Sequence, residues 1–234
     1  MHQSRFYYRV LTQLIGQRLV DRKAKIVVIC AGQLDAEILQ ELGFTHVLLT
    51  SISKYRGVSK YKFKQCDAHK LPFRNDSFDF ALVHAGLHHC YSPHQVLGEM
   101  YRVARKGVLV CEAQDNLFTR LLVKLRLTEE YEFSAVAGDR GGVNDLAIPN
   151  YVYRWSQREV EKTIRSLDYA REPRILYFAE FNFPNSKTKD GQYGRELALV
   201  SKAFADVANK IVPGWGNLLG FFIDKQHMRL HPWI

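Results

Sequence analysis

Short apolar runs alternate with stretches of helical periodicity over the first half of the chain. Between these runs, Leu34–Leu42 has helical spacing and Ser92-Pro93 has the residues that begin a helix. The runs have the length and β-branched content of strands, and they are Lys25–Cys30, His46–Thr50, a shorter Lys62–Gln65, Phe78–His84 and Val108–Glu112. Runs of this kind suit strands buried on both faces of a parallel sheet. The alternation predicts an α/β fold with a doubly wound, mostly parallel sheet.

The rhythm changes after residue 113. The segment 114–155 contains a basic helical stretch, Leu117–Leu127, followed by acidic, aromatic and glycine-rich pieces. We interpret it as an insertion beside the carboxyl ends of the strands. Ser156 then begins a helix with the spacing of a capping box.

The remaining segments complete a single predicted domain over residues 1–234. A sixth strand is expected over Arg174–Phe181, a helix over Gly194–Val212 and a last strand over Leu218–Asp224. An amphipathic helix is expected within residues 1–22, ahead of a core formed by 25–113 and 156–226.

Composition is that of a soluble globular protein, with 47% apolar and 24% charged residues. The N-terminus lacks the apolar core of a secretory signal, and no apolar run reaches the roughly 20 residues of a membrane helix. The cysteines, Cys30, Cys66, Cys90 and Cys111, form no CxxC pair. This spacing predicts free thiols in the cytoplasm and no metal site.

The formal net charge of +9 includes a dense basic segment from Lys54 to Arg74. Such a surface could favour an acidic substrate, nucleic acid or an anionic lipid surface, and it could equally be a solvated face around a loop. No nucleic-acid motif accompanies the charges, which disfavours a nucleic-acid partner. The sequence does not specify an oligomeric state.

The most informative segment runs from Gln65 to Ala113. It begins with Cys66-Asp67-Ala68, continues with Leu-Pro-Phe and Asp-Ser-Phe-Asp-Phe-Ala-Leu-Val-His-Ala-Gly-Leu-His-His, and ends with a helix and a further apolar run. In this order and spacing it resembles the middle of a class I S-adenosylmethionine (SAM)-dependent methyltransferase of the type 11 domain family. The resemblance covers roughly Ile26 to Ala113. It implies a Rossmann-like sheet of seven strands, with an antiparallel last strand between the fifth and sixth.

The resemblance also implies where SAM would bind. Asp67 and Ala68 match the pair that holds adenine, and Ser51 stands where the family has an acidic residue for the ribose. His84 and Leu87 lie near the expected methionine end. The loop expected to cradle the cofactor consists of Cys30, Ala31, Gly32 and Gln33.

That loop departs from the approximate family pattern D-x-G-x-G-x-G. Only Gly32 occupies a glycine position, because Cys30 replaces the first glycine and Leu34 stands at or near the third. A residue other than glycine at such a position must avoid a positive φ angle. Ser51 could give one ribose oxygen a hydrogen bond but could not act as a charged bidentate acceptor. SAM could therefore bind weakly, rely on another residue, or no longer bind.

Candidate catalytic residues follow the fourth strand. His88 and His84 could act as a general base near neutral pH, although the Leu-His-His sequence could equally serve packing at the strand–helix corner. Methyl transfer from a sulfonium depends largely on positioning, so a dedicated base is not obligatory. Aromatic residues of the insertion could wall an acceptor pocket or pack it onto the sheet, and they are Tyr131, Phe133, Tyr151, Tyr153 and Trp155. Asp139 and Arg140 could form a lid.

We therefore predict a SAM-dependent methyltransferase that acts on a small-molecule, saccharide or lipid acceptor. One alternative is a non-catalytic binding or scaffold protein of the same fold with a degenerate SAM site. A second alternative is a nucleic-acid methyltransferase. The basic charge favours it weakly, but an Asn-Pro-Pro-Tyr-like tetrapeptide is absent after the fourth strand.

Overall fold

The computed structural model describes most of the chain. The described residues are 2–54, 57–136, 141–181, 205, 207–210 and 214–234. The predicted lid residues Asp139 and Arg140 lie outside them. So does most of the helix predicted over Gly194–Val212, of which residues 205 and 207–210 are described and helical.

A seven-stranded sheet forms the centre of the molecule, in the order β3-β2-β1-β4-β5-β7-β6. Strand order reverses between β1 and β4, which makes the sheet doubly wound. Its strands are β1 (Lys25–Ile29), β2 (His46–Ser51), β3 (Lys62–Gln65), β4 (Phe78–His84), β5 (Ala104–Ala113), β6 (Arg171–Glu180) and β7 (Leu218–Leu230).

Strand directions confirm the predicted fold class. The strands from β3 to β5 pair in parallel, whereas β7 runs antiparallel to both of its neighbours, β5 and β6. The last strand therefore lies between the fifth and sixth, as the sequence predicted.

The described residues include five α-helices with assigned bounds, and helices pack on both faces of the sheet. They are α1 (His2–Gly16), α2 (Gln33–Glu41), α3 (Pro93–Val103), α4 (Leu117–Lys124) and α5 (Gln157–Leu167). Apolar residues of α1 and α2 pack on one face, and those of α3 and α5 pack on the other. Val28, Val47 and Leu82 in the first of these layers and Val110 in the second are buried, as the sequence predicted.

The fifth strand begins earlier than the sequence predicted. We expected Gly107 to precede the strand, but β5 starts at Ala104 and Gly107 pairs with Asp224 of β7. A Cβ atom at Gly107 would lie 2.8 Å from both the Ile223 carbonyl oxygen and the Phe222 ring. This glycine therefore permits close approach of the neighbouring strand.

The segment between β5 and α5 is fixed to the sheet at a few points. Gln114 forms a β-bridge with Trp155, and Tyr131 forms one with Tyr151. A short 3₁₀ turn, Val143–Asp145, lies between these bridges in the sequence. This arrangement brings the segment over the carboxyl ends of the strands, where the candidate site lies.

Candidate active site

A cavity of about 270 Å³ opens at the carboxyl ends of β1, β2, β3 and β4. This is the edge of a doubly wound sheet at which ligands bind, next to the reversal of strand order. The strand ends contribute Cys30, Ser51, Ile52, Ser53, Asp67, Ala68, His69, Ala85, Gly86, His89 and Cys90, and the insertion contributes Gly141, Gly142, Asn144 and Asp145. Of the predicted cofactor residues, Cys30, Ser51, Asp67 and Ala68 therefore meet at one cavity.

Cys30 carries the backbone conformation that a glycine would normally provide. Its φ angle is 53°, in the left-handed region, and it occupies the family's first glycine position. Leu34 avoids a positive φ angle, as the sequence required, because it lies within α2. Cys30 Sγ lies 3.7 Å from Cys90 Sγ. This contact and burial raise the pKa of the Cys30 thiol well above its ordinary value, so the thiol is neutral at pH 7.

Asp67 combines a structural role with its place in the cavity. Its Oδ1 atom accepts hydrogen bonds from the His69 backbone amide at 2.9 Å and from His69 Nδ1 at 2.7 Å. Burial alone would raise the pKa of Asp67, but these hydrogen bonds outweigh it and lower the pKa. Asp67 is therefore both the cap of a short 3₁₀ turn, Ala68–Lys70, and an ionised group at the cavity.

Sequence reasoning missed a second carboxylate in the cavity. Asp145 comes from the insertion, and its Oδ2 atom accepts a hydrogen bond from the Ser53 hydroxyl. Ser53 lies just beyond β2, two residues after the Ser51 that replaces the expected acid. Asn144 and Asp145 both have positive φ angles, 50° and 62°, a conformation that Asn and Asp tolerate better than most residues. The adjacent Asn144 and Asp145 were the only indication in the sequence of a tight turn that could carry a carboxylate to the cavity.

The other predicted loop residues lie at the start of α2 and do not line the cavity. Ala31 is buried, and its backbone amide donates to the Thr50 carbonyl at 2.8 Å. Gly32 precedes the helix, and its amide donates to Asp35 Oδ2 at 2.8 Å. Gln33 is exposed and donates to Glu37 Oε1 at 2.8 Å.

His84 lies beneath α1, away from the cavity wall. Its ring stacks on Tyr7, with ring centroids 4.8 Å apart, and its Nδ1 atom lies 3.5 Å from Asp35 Oδ1. Tyr7 Oη, Asp35 Oδ1 and His84 Nε2 are buried and accept or donate no hydrogen bond within the described residues. Buried polar groups normally have hydrogen-bond partners. These three atoms could therefore form hydrogen bonds with a polar group of a ligand or with water.

Leu87 and His88 also lie outside the cavity wall. The Leu87 side chain is fully buried in the core between the sheet and α3. His88 Nδ1 lies 2.7 Å from Glu112 Oε2, and Glu112 is buried. Burial lowers the pKa of His88, but attraction to Glu112 and Glu132 outweighs it and raises the pKa to about 10. A histidine protonated at neutral pH does not suit the general-base role predicted for His88.

The aromatic residues of the insertion do not form the predicted pocket wall around this cavity. Trp155 is fully buried in the core, whereas Tyr131, Phe133 and Tyr151 are largely exposed. Tyr153 contacts Trp155 and His94 edge-on. Trp155 therefore anchors the insertion to the sheet, which is the packing role that the sequence allowed as an alternative.

A family model independently locates the same region. Residues 31–111, from the loop after β1 to within β5, match the model described as a methyltransferase domain. No curated protein sequence matches the chain.

Solved structures share the fold over nearly the whole chain. A SAM-dependent methyltransferase from Archaeoglobus fulgidus is 13% identical, with a TM-score of 0.55 and coverage of 95% of this chain and 94% of its own. The YcgJ protein of Bacillus subtilis is 14% identical, with a TM-score of 0.57 and coverage of 93% and 98%. A third is the Burkholderia thailandensis 1,6-didemethyltoxoflavin-N1-methyltransferase with bound S-adenosylhomocysteine, at 14% identity, TM-score 0.51 and coverage of 95% and 78%.

These comparisons confirm the resemblance to class I SAM-dependent methyltransferases. The chain contains a methyltransferase-domain segment, and as a whole it has the Rossmann-like fold of that class. No helix among the described residues is both long and apolar enough to cross a membrane.

Proposed function

We propose that this protein is a SAM-dependent methyltransferase that acts on a small-molecule, saccharide or lipid acceptor. The observation that carries the proposal is the cavity at the strand ends, in which Asp67 and Asp145 supply two carboxylates beside the backbone of Cys30. When bound, SAM supplies an electrophilic methyl group on a sulfonium. The protein contributes the residues that hold and orient it.

Two carboxylates fit the hydrogen-bond donors of SAM. Asp67 and Ala68 would hold the adenine end, as the family resemblance implies. Asp145 would accept from the ribose hydroxyls in place of the acidic residue that Ser51 replaces, since Asp145 contacts Ser53 beyond the same strand. An ionised carboxylate forms stronger hydrogen bonds than a serine hydroxyl can.

The methionine end has candidate partners near His84. Tyr7 Oη, Asp35 Oδ1 and His84 Nε2 are buried without hydrogen-bond partners among the described residues. The amino and carboxylate groups of a methionine moiety are polar groups of the kind that would satisfy them. His84 immediately precedes Ala85, which lines the cavity, and this proximity supports a role in binding.

In this proposal the protein accelerates methyl transfer mainly by positioning, because displacement at a sulfonium methyl needs an aligned acceptor more than a base. We place the activity in the cytoplasm, where the four free cysteines would stay reduced.

The non-catalytic alternative is favoured by the size of the cavity. Its volume of about 270 Å³ lies just below the range of about 300–1,000 Å³ usual for ligand sites. The Cys30 side chain and the insertion residues Asn144 and Asp145 border this space. If they close it permanently, the protein would keep the fold without the cofactor.

Labelled methyl transfer would separate the proposed activities. The full chain would be incubated with SAM that carries an isotopic label in its methyl group, together with hydroxylated small molecules, saccharides, lipids, RNA or DNA. The proposal expects label in one of the first three classes and equimolar S-adenosylhomocysteine. Label in RNA or DNA would support a nucleic-acid methyltransferase, and SAM binding without transfer to any class would count against the enzyme.

A further inference from the structure

Two histidines and a glutamate converge at the edge of the cavity. His88 Nε2 lies 3.6 Å from Glu132 Oε2, and His89 Nε2 lies 3.8 Å from the same oxygen. All of the potential ligand atoms in this cluster lie within 4.8 Å of one another. A tetrahedral Zn²⁺ with ligand bonds of about 2.0–2.1 Å places its ligand atoms about 3.3 Å apart. Small side-chain movements would therefore bring the three atoms to coordination geometry.

Glu112 holds His88 in the orientation that a metal ligand needs. Its Oε2 atom lies 2.7 Å from His88 Nδ1, while its Oε1 atom accepts from the Gly86 and Leu87 amides at 2.8 and 2.6 Å. The carboxylate is thus fixed by the backbone, and it favours the tautomer with a proton on Nδ1. Nε2 is then the atom that faces a metal ion, which binds there by displacing the second proton of the His88 ring. Carboxylate–histidine pairs of this kind commonly orient metal ligands.

Glu132 is also held from behind, by Asn150. The Asn150 side-chain amide donates to Glu132 Oε2 at 3.2 Å, and the Glu132 backbone amide donates to the Asn150 carbonyl at 2.9 Å. Asn150 is completely buried. The neighbouring bridge between Tyr131 and Tyr151 fixes both backbones. The insertion therefore presents Glu132 to the histidines from a supported position.

An ion pair alone accounts for only part of this cluster. His88 has a hydrogen-bond partner in Glu112, but the 3.8 Å between His89 Nε2 and Glu132 is too long for a hydrogen bond. His89 nevertheless lies beside His88, with ring centroids 4.3 Å apart. A second imidazole nitrogen beside the Glu132 carboxylate is explained if a shared metal ion lies between His88, His89 and Glu132.

We propose that His88, His89 and Glu132 form a binding site for a divalent transition-metal ion of the Zn²⁺ type. Two imidazoles and one carboxylate suit such an ion, whereas Mg²⁺ and Ca²⁺ prefer oxygen ligands. Three protein ligands leave a coordination position open. Because His89 also lines the cavity, that position could take a donor atom of the methyl acceptor. This last role rests on the proposed function, whereas the metal site itself does not.

Calorimetric titration of the chelator-treated full chain with Zn²⁺ tests the site. Co²⁺ provides a second readout, because its visible absorption reports coordination geometry without any enzymatic assay. The test variants are His89→Gln and Glu132→Gln, which remove a ligand at partly exposed positions and leave the buried Glu112 with its partner. The matched control is His94→Gln, since His94 Nε2 faces Glu159 at 3.3 Å outside the cluster.

We expect one equivalent of Zn²⁺ to bind to the wild type and to His94→Gln. Loss of a partner behind a ligand costs about 10–100-fold in metal affinity. Loss of the ligand itself in His89→Gln or Glu132→Gln should therefore cost at least about 100-fold and abolish the Co²⁺ spectrum. Absence of binding to the wild type, or equal binding to both test variants, would overturn the proposal.

SAM binding measured on the same wild-type sample separates this proposal from the proposed function. Zn²⁺ binding without SAM binding would leave the metal site standing and remove the methyltransferase. SAM binding without Zn²⁺ binding would remove the metal site and leave the proposed methyltransferase standing.

Discussion

The Asp145 carboxylate accepts a hydrogen bond from the Ser53 hydroxyl, although the two residues are 92 positions apart in the sequence. Ser53 belongs to the loop after β2, which in the resembling family carries the acidic residue for the ribose. The insertion therefore brings a carboxylate to the loop that lacks one. This contact suggests that Asp145 takes the role of the acidic residue that Ser51 replaces.

Replacement of Asp145 by Asn tests that exchange. A hydrogen bond to a charged group contributes about 1.5–3 kcal/mol, against about 1 kcal/mol for a neutral one. Asp145→Asn should therefore weaken SAM binding by about 0.5–2 kcal/mol in a calorimetric titration. Glu130→Gln, an exposed substitution in the same insertion, is the control and should have no effect. Unchanged affinity in Asp145→Asn would remove Asp145 from the site.

Asp67 should affect cofactor binding and local structure separately. Asp67→Ala should weaken SAM binding by about 1–3 kcal/mol, the usual cost of an unpaired buried polar group. Asp67→Asn should also bind SAM more weakly but keep most of the stability, because an Asn oxygen can still accept from the His69 amide. Calorimetry and thermal unfolding measure the two effects. Full affinity in a folded Asp67→Ala protein would show that Asp67 does not contact SAM.

Cys30 and Gly86 should be energetically coupled. A Cβ atom at position 86 would lie 2.7 Å from Cys30 Cβ and 3.0 Å from Val83 Cγ2. Gly86→Ala should therefore lower the free energy of unfolding by about 1–3 kcal/mol, the usual cost of overpacking. Cys30→Gly removes the closer of the two contacts and suits the positive φ angle at position 30.

The double variant Cys30→Gly/Gly86→Ala should consequently have a higher free energy of unfolding than the sum of the two single effects predicts. Chemical denaturation of all four proteins gives the interaction energy. Additive effects would show that the two positions do not compete for space.

Asp79 should make stability depend on acid pH. Its carboxylate accepts from the Lys25 amide at 2.8 Å and pairs with Arg105 at 2.8 Å and Lys106 at 3.0 Å. Burial would raise the pKa of Asp79, but these partners outweigh it and lower the pKa. A carboxyl whose folded pKa lies below its unfolded value of about 3.9 stabilises the fold above that pH.

This stabilisation is lost as pH falls through the folded pKa of Asp79. Asp79→Asn should therefore unfold more easily at pH 7, by about 1–2 kcal/mol, and lose less stability between neutral and acid pH. Denaturation curves at several pH values measure both effects. A parallel pH dependence in the variant and the wild type would contradict the assignment.

The centre of the sheet could be predicted because β1 and β4 are buried on both faces. Continuous apolar runs such as Val27–Ile29 and Ala81–Val83 then identify strands directly, and β4 has the predicted bounds. Strand ends were less predictable. β7 continues past Asp224 to Leu230 through polar residues, because its pairing with β6 extends beyond the buried core.

The site was predictable only where it follows a strand. Cys30, Ser51 and Asp67 each end or follow a strand, so the topology alone brings them together. Asp145 and Glu132 come from an insertion, and no local pattern states where an insertion folds back onto the sheet. The metal prediction considered the spacing of cysteines and therefore missed a cluster of histidine and glutamate.

Calorimetric titration of the wild-type chain with SAM and with S-adenosylhomocysteine tests the central claim most directly. The account predicts that both compounds bind at a single site and that each binds more weakly to Asp67→Asn and Asp145→Asn. Failure of both compounds to bind to the folded wild-type protein would contradict it and would favour a non-catalytic protein of this fold.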